Sequence, residues 1–494
     1  MTLDSQRIFG AASVTATLTA TGISLALMAL AVLPSPALAA RAAGQPVITP
    51  APVGTTQAPA VKPAPGPVDS WPIPTAAPTA VPTAAPSATL PVVPVPLVPV
   101  VIQETIMPWP VADARALLAF IKGIGSEGLI PADYRPDLLA AAIASGEGQA
   151  LNEAASKSFS WLAEDLRDGR TPMAARVQWF AVDKDQDVNP TDALMARALA
   201  DHDIAGTLTA LDPTYPDYAV LKDALASTPA AAVKTRATIR ANMDRWRWFT
   251  RDMGEFYLMT NVPEFQLRLV RRDKIVRTYR TIVGKPGKTA TPQLAETVQG
   301  VIFNPTWTVP QSIVKGEGLG ARLIGNVAEA KREGYAVTKS VDGTIAVVQQ
   351  PGPKNSLGLV KLDMPNPHAI FLHDTPSRQL FNAPFRALSH GCVRTERAKE
   401  LAITLAIIGA DKSPEEAVAI SDSGIYTKVP MTKTMPVYIG YFTMAKDITG
   451  TVATFADIYQ RDAPVLASFN APRQLKTTQR TSAEKVVAIE APGA

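Results

Sequence analysis

One cysteine stands in the 494-residue chain, Cys392, inside the run Arg386-Ala387-Leu388-Ser389-His390-Gly391-Cys392-Val393-Arg394. Two of the four histidines are close to it in sequence: His390, and His373 in Ile370-Phe371-Leu372-His373-Asp374-Thr375-Pro376. An ordinary thiol has a pKa of about 8.5 and is only a few per cent thiolate at neutral pH, so a nucleophilic cysteine needs a base and surroundings that favour an anion. His373 ends a β-rich run that can hold its ring rigidly, and His390 adds a second imidazole. After the cysteine, Ala398, Leu401, Ala402, Leu405 and Ile408 follow helical spacing. That reading puts the sulfur just before a helix N-terminus, where backbone N–H groups and the dipole favour negative charge. Those amides, with the amides of Gly391 and Cys392, would hold the oxyanion of a tetrahedral intermediate. Gly391 lets the backbone approach a substrate with no side chain in the way. The chemistry expected is acyl transfer, with Cys392 as nucleophile and His373 as base.

Other readings of the same residues are a buried inert cysteine and a zinc site. Zinc would have only three ligands from one Cys and two His, and neither Cys-x-x-Cys nor His-Glu-x-x-His spacing occurs. No metal or organic cofactor is expected. His202 and His368 have no such company and read as structural.

Elements must position these groups, and the chain is long enough for two or three domains. It is 47% hydrophobic and 19% charged, with net charge +4. The basic residues are scattered, so no nucleic-acid partner is expected. Residues 9–33 carry only small, hydroxyl or apolar side chains, followed by Pro34-Ser35-Pro36-Ala37-Leu38-Ala39-Ala40. Ala37 and Ala39 form a small-x-small cleavage pattern, so residues 1–39 read as a secretory signal. An uncleaved anchor is the alternative, since 9–33 is long enough to span a bilayer; only then is a membrane tether expected. A lone cysteine in an exported chain cannot close an internal disulfide, which leaves chemistry or inert burial.

Residues 40–103 are rich in Pro and Ala and read as a disordered, semi-rigid linker. Residues 104–240 show three–four apolar spacing at 114–124, 138–143, 151–166 and 194–199, a helical scaffold domain. From 250 to 465 the signal turns to strands at 255–261, 265–270, 274–283, 301–304, 344–349, 368–373 and 437–442, with Arg271-Arg272-Asp273 as a turn. A short insertion at 315–350 lies before His373. Residues 466–494 are polar, with scattered charge at Arg473, Lys476, Arg480 and Lys485, and read as a disordered tail.

The order His373, then Ser389-His390-Gly391-Cys392-Val393-Arg394, resembles the signature of L,D-transpeptidases with a YkuD-type catalytic domain. Four further motifs are similar to the large Gram-negative, YcbB-like members. They are Gly128-Leu129-Ile130-Pro131-Ala132-Asp133-Tyr134, Asn304-Pro305-Thr306-Trp307-Thr308-Val309-Pro310, Pro351-Gly352-Pro353-Lys354-Asn355-Ser356-Leu357-Gly358 and Asp457-Ile458-Tyr459-Gln460-Arg461-Asp462. The resemblance covers roughly residues 111–464. It implies an α+β multidomain protein: a mostly antiparallel, β-sandwich-like catalytic domain plus an α-helical N-terminal scaffold domain. It departs from the family in two places. Residues 215–239 are too short for the usual peptidoglycan-binding module, and the insertion at 315–350, which caps the site in the family, is short.

Carried over, the resemblance makes Cys392 the nucleophile and His373 the base. It has the Asp374 backbone orient His373, the Gly391 and Cys392 amides form the oxyanion hole, and His390 and Ser389 line the site. Arg394 is a candidate for substrate carboxylates or else a structural ion pair, and Trp307 lines the donor groove or else a core. The implied substrates are peptidoglycan tetrapeptide stems, as donor and acceptor, in 3→3 cross-linking through a cysteinyl thioester. Water, a free D-amino acid or a protein lysine is the alternative acceptor, and a non-catalytic wall-binding scaffold is the alternative class. A periplasmic or cell-envelope location and a monomer are expected.

Overall fold

A computed structural model describes residues 99–183 and 185–484. The expected signal or anchor, the linker up to residue 98 and the last ten residues lie outside the described residues. Among the described residues no helix is long and apolar enough to cross a membrane.

The first part of the described chain is helical, with Val111–Gly123, Pro136–Ala144, Gln149–Asp168, Thr191–Ala200 and Ile204–Thr209 as its main elements. Leu117, Ile121, Leu139, Phe159, Leu162 and Met195 fill its core. The apolar spacing of Gln149–Asp168 explains one buried face, Leu151, Ala155, Phe159, Leu162 and Leu166. Yet Ser156, Ser160, Glu164 and Asp165 on the same helix are buried too. Two flanking segments cover them. From one side Trp109 donates its ring N–H to Ser156 Oγ at 3.0 Å and its backbone N–H to Asn152 Oδ1 at 2.8 Å.

From the other side comes the segment after Asn470, whose described residues, up to 484, are packed where 466–494 reads as a disordered tail. Helix Asp462–Asn470 continues the packed structure, and Arg473 then donates to Asp165 Oδ2 at 2.9 Å and to Glu164 Oε2 at 2.7 Å. The three side chains are 2%, 1% and 7% exposed. Thr477 bridges to Val101, and Ser482 N–H donates to the Trp179 carbonyl at 2.7 Å. Arg473 and Lys476, which look solvated in sequence, are counter-ions for acids buried on a helix some 300 positions earlier.

Helices Pro216–Ser227 and Val233–Trp246 lead into the β domain. Its first twelve strands, in chain order, are β1 (Phe256–Asn261), β2 (Gln266–Arg271), β3 (Lys274–Gly284), β4 (Leu294–Phe303), β5 (Trp307–Thr308), β6 (Tyr335–Lys339), β7 (Ile345–Gln349), β8 (Val360–Asp363), β9 (Leu372–His373), β10 (Ala387–Ser389), β11 (Val393–Thr395) and β12 (Thr427–Gly440). Nine of them form one sheet in the order β10-β3-β11-β9-β8-β4-β12-β1-β2, and β2 also pairs with β3. The strands from β3 round to β2 therefore close into a ring, a sandwich-like layout with hydrogen bonds carried across both sides. Pairings β1–β12, β3–β10 and β9–β11 are parallel and the others antiparallel. Period-two alternation turns Leu267, Leu269, Val437 and Ile439 inward, and helix Ala398–Ala410 adds Leu401, Ala402 and Leu405 to the same core.

β5, β7 and β6 form a separate small sheet. With helices Gln311–Gly316, Leu319–Gly325 and Val327–Arg332 it surrounds its own cluster of Val309, Val314, Leu323 and Val347. The strand expected over 368–373 is only Leu372–His373. Asn366 explains the rest: its Nδ2 donates to the Met364 and Ile370 carbonyls, both at 2.8 Å, and its Oδ1 accepts from the His368 and Ile370 N–H groups. That closes a loop in which Ala369 takes φ 51°, a left-handed value no strand accommodates.

Candidate active site

The site is built by the register of three short strands. β9 and β11 run parallel, pairing Leu372 with Val393 and His373 with Arg394. Leu372 and Val393 point into the core. Alternation then puts Phe371 and His373 of one strand, and Cys392 and Arg394 of the other, on the opposite face. β8 joins on the far side of β9 and pairs Lys361 with His373. Lys361 Nζ sits 3.6 Å from the centre of the Phe371 ring.

His373 is buried, and its Nδ1 lies 2.6 Å from the Asp374 carbonyl. A proton on Nδ1 donates to that carbonyl, leaving the Nε2 lone pair available. The Asp374 carboxylate points elsewhere, accepting from Leu359 N–H at 2.9 Å and Arg378 Nη2 at 3.2 Å. Gly358 permits this approach, because a Cβ there would collide with the Asp374 side chain. The motif ending in Gly358 is fixed by Asn355, whose Nδ2 donates to the carbonyls of Pro305, Gln349 and Gln350.

The Cys392 thiol is half-buried and its Sγ lies 3.7 Å from the carbonyl of Ala369, the left-handed residue. No hydrogen bond joins Sγ to His373 among the described residues. Burial pushes the thiol up, while the Phe371 N–H and the Lys361 and Arg394 cations pull it down. Burial pushes His373 down to about 3, with Arg394 and Lys361 adding to the push and the Asp374 and Leu357 carbonyls opposing it. The resting pair is a neutral thiol and a neutral imidazole.

Several expectations change here. Cys392 does not precede a helix N-terminus: β11 follows it, and the helix begins only at Ala398 behind Arg397, which has φ 50°. Three apolar–polar alternating residues are invisible to helical periodicity, so the dipole is not the source of anion stabilisation. The Gly391 N–H is already committed to Ser389 Oγ at 3.1 Å, and that hydroxyl donates to the Cys392 carbonyl at 2.6 Å. The Cys392 N–H has no partner among the described residues, so it is the amide in place to receive an oxyanion. Gly391 itself has φ 118°, a conformation closed to other residues.

His390 is exposed, its Nε2 3.8 Å from Glu317 Oε1 at the edge of the inserted unit. Trp307 packs on the small core of that unit. Arg394 makes no ion pair among the described residues, and its buried Nε has no partner. Of its two readings, the structural ion pair is therefore absent there. His368 packs at a tilt of 38° against Phe180, which precedes the β domain, with ring centres 4.4 Å apart. Behind the nucleophile loop, Thr291 Oγ1 donates to the Gly391 carbonyl at 2.8 Å, and Tyr459 of the Asp457–Asp462 motif donates its hydroxyl to the Gly284 carbonyl at 2.5 Å. Lys361, Asn366 and Ala369 escape a sequence reading. Asn366 alone leaves a trace there, between two prolines.

The model of the L,D-transpeptidase catalytic domain matches residues 255–439, which contain Cys392, His373, Lys361 and Arg394. Residues 255–439 are thus similar to L,D-transpeptidase catalytic domains. A scaffold-domain model matches residues 109–225, the helical part. A Haemophilus influenzae protein carrying a provisional L,D-transpeptidase name is 30% identical over 230 residues, 43% of this chain and 46% of its own length. The chain thus spans less than half of that relative. An L,D-transpeptidase from Mycobacterium smegmatis is 13% identical, with 39% of this chain and 60% of that one covered and a TM-score of 0.21. L,D-transpeptidase 1 of Mycobacterium tuberculosis is 14% identical, with 37% and 60% covered and a TM-score of 0.17. At such scores the superpositions carry no weight, and the likeness to L,D-transpeptidases stands on the domain match.

Proposed function

We propose that the protein is an exported peptidoglycan L,D-transpeptidase that forms 3→3 cross-links through a thioester on Cys392. The observation that supports it is the shared face of β9 and β11, where a neutral His373 with a tied Nδ1 stands beside the chain's one thiol.

The thiol leaves the Ala369 carbonyl, turns toward His373 and gives its proton to Nε2. Sγ attacks the carbonyl carbon of the third residue of a tetrapeptide stem, and the Cys392 N–H holds the oxygen as it becomes negative. The C–N bond to the terminal D-Ala breaks, and His373 returns the proton to the departing amine. The side-chain amine of a second stem then attacks the thioester, loses its proton to His373 and expels Sγ. Arg394, unpaired and on the same face, binds a stem carboxylate. Ser389 holds the loop rather than the substrate. The protein acts in the cell envelope as a monomer, with stems as both donor and acceptor and no cofactor.

Intact-mass spectrometry with a carbapenem, followed by product analysis with tetrapeptide muropeptides, tests this. The wild type is expected to form the covalent adduct and the cross-linked dimer, and Cys392→Ala neither. Cross-links made by Cys392→Ala would refute the mechanism. Tripeptide, exchanged stems or protein conjugates without dimer would assign the acceptor to water, a D-amino acid or a lysine.

A further inference from the structure

We propose that Lys361 is the cation that sustains the anionic form of Cys392 during attack, a positioning role for a side chain outside the signature; this rests on the acyl-transfer reading above. Its place is fixed by register, because Lys361 is paired with His373 across β8–β9. Its ammonium stands on the Phe371 ring, 3.6 Å from the centre, and Phe371 lies beside Cys392 on the same face. The Phe371 backbone N–H also favours the sulfur anion.

Lys361 has no hydrogen bond or ion pair among the described residues. The carboxylate two positions along its own strand, Asp363, is taken by Lys428 at 2.7 Å. Asp374 is held by Arg378 and the Leu359 N–H, and Glu317 stands by His390. The charged and titratable groups facing the thiol are thus Lys361 from β8, His373 from β9 and Arg394 from β11. A partly buried ammonium without a counter-ion is costly unless an anion forms beside it. Cys392 is the group on this face able to become one.

Arg394 is the competing cation, and chemistry separates the two. A guanidinium fork matches a substrate carboxylate in two places, and binding one neutralises it toward the sulfur. The point charge of Lys361, lying on an aromatic ring, remains for the thiolate. The same charge disfavours a protonated His373, so the proton taken from the thiol passes readily to the leaving amine.

The test is the rate of Cys392 alkylation by iodoacetamide against pH, read by intact mass on the full chain without peptide. Lys361→Met is expected to raise the apparent thiol pKa by about one unit. Lys361→Arg should restore it, with the limiting rate at high pH unchanged throughout. Lys361→Gln, which keeps a polar tip should Met perturb the strand, should shift as Met does. A thiol pKa in folded Lys361→Met or Lys361→Gln equal to wild type would overturn the proposal. An equal shift in Lys361→Arg would also do so, since it would mark lost packing on Phe371 rather than lost charge. Alkylation involves no stem peptide, so a protein with this Lys361 dependence but no transpeptidation would sink the reaction and leave the assignment of Lys361 standing.

Discussion

At the scale of single residues, burial works on Cys392 and His373 in opposite directions: it pushes the thiol up and the imidazole down, to about 3. A base with so low a pKa is unprotonated over the whole range in which the protein is handled. Carbapenem acylation through the neutral thiol–imidazole pair should therefore hold level from above pH 3 up to the pKa of the thiol. No acidic limb centred near 6.5 should appear in a stopped-flow pH profile, and such a limb would show that His373 titrates normally. His373→Ala should slow acylation by about 10²–10⁴-fold, the ordinary worth of a positioned base, with the fold retained by circular dichroism. That Cys392 and His373 belong together is legible in sequence from residue type and spacing, and the pairing of β9 with β11 brings their strands side by side. The oxyanion donor is less so: which of two neighbouring amides is free depends on the Ser389 hydroxyl, which accepts one and donates to a carbonyl three residues on.

Among the elements, the body of helix Ala398–Ala410 is legible from its apolar spacing, but its start is not. A three-residue strand between Cys392 and the helix leaves no periodic signal, yet it decides which face the cysteine occupies. The loop before β9 is hidden for a related reason. Its shape is made by one side chain, Asn366, bonding four backbone groups, and the left-handed Ala369 is its consequence. Asn366→Ala should destabilise the domain by about 2–4 kcal/mol, since buried backbone groups lose their partners. Acylation should fall as well, because the carbonyl facing the thiol moves. Urea melts and acylation rates at a temperature where the variant is folded check both. The Gly358 position gives a second handle. Gly358→Ala should lower the melting temperature and acylation together, whereas Gly287→Ala, at an open turn of comparable φ, should lower only the former.

For the molecule as a whole, α and β regions separate cleanly in sequence, but the segment after Asn470 does not declare itself, because its contacts lie on another domain. Arg473→Met should cost about 3–5 kcal/mol by leaving Glu164 buried without a counter-ion and Asp165 with Lys476 alone, at 3.6 Å. Thermal melts check this, and the specific activity of the folded fraction should be unchanged. Stability should also depend on acidity through His373. Its folded pKa, about 3, lies below the unfolded value of 6.5, so its contribution is whole above pH 6.5. It is lost as pH falls toward 3, by at most about 1.4 kcal/mol per pH unit. Asp183 and Asp212, raised to about 7 and about 6, act in the opposite direction, so the comparison must be wild type against His373→Asn across pH 4–7. The difference between the two profiles should move in the variant's favour as pH falls below 6.5, by at most about 1.4 kcal/mol per pH unit, and parallel profiles would contradict the burial of a neutral ring.

The pairing of Arg473 with Asp165 spans 308 positions of chain. The long helix of the scaffold is thus finished by residues that leave the ribosome, and any export channel, after the whole catalytic domain. Until they emerge, Glu164 and Asp165 lack their counter-ion, and the earliest-made region is among the last to be consolidated. A chain wired this way completes its first domain only once its far end has arrived.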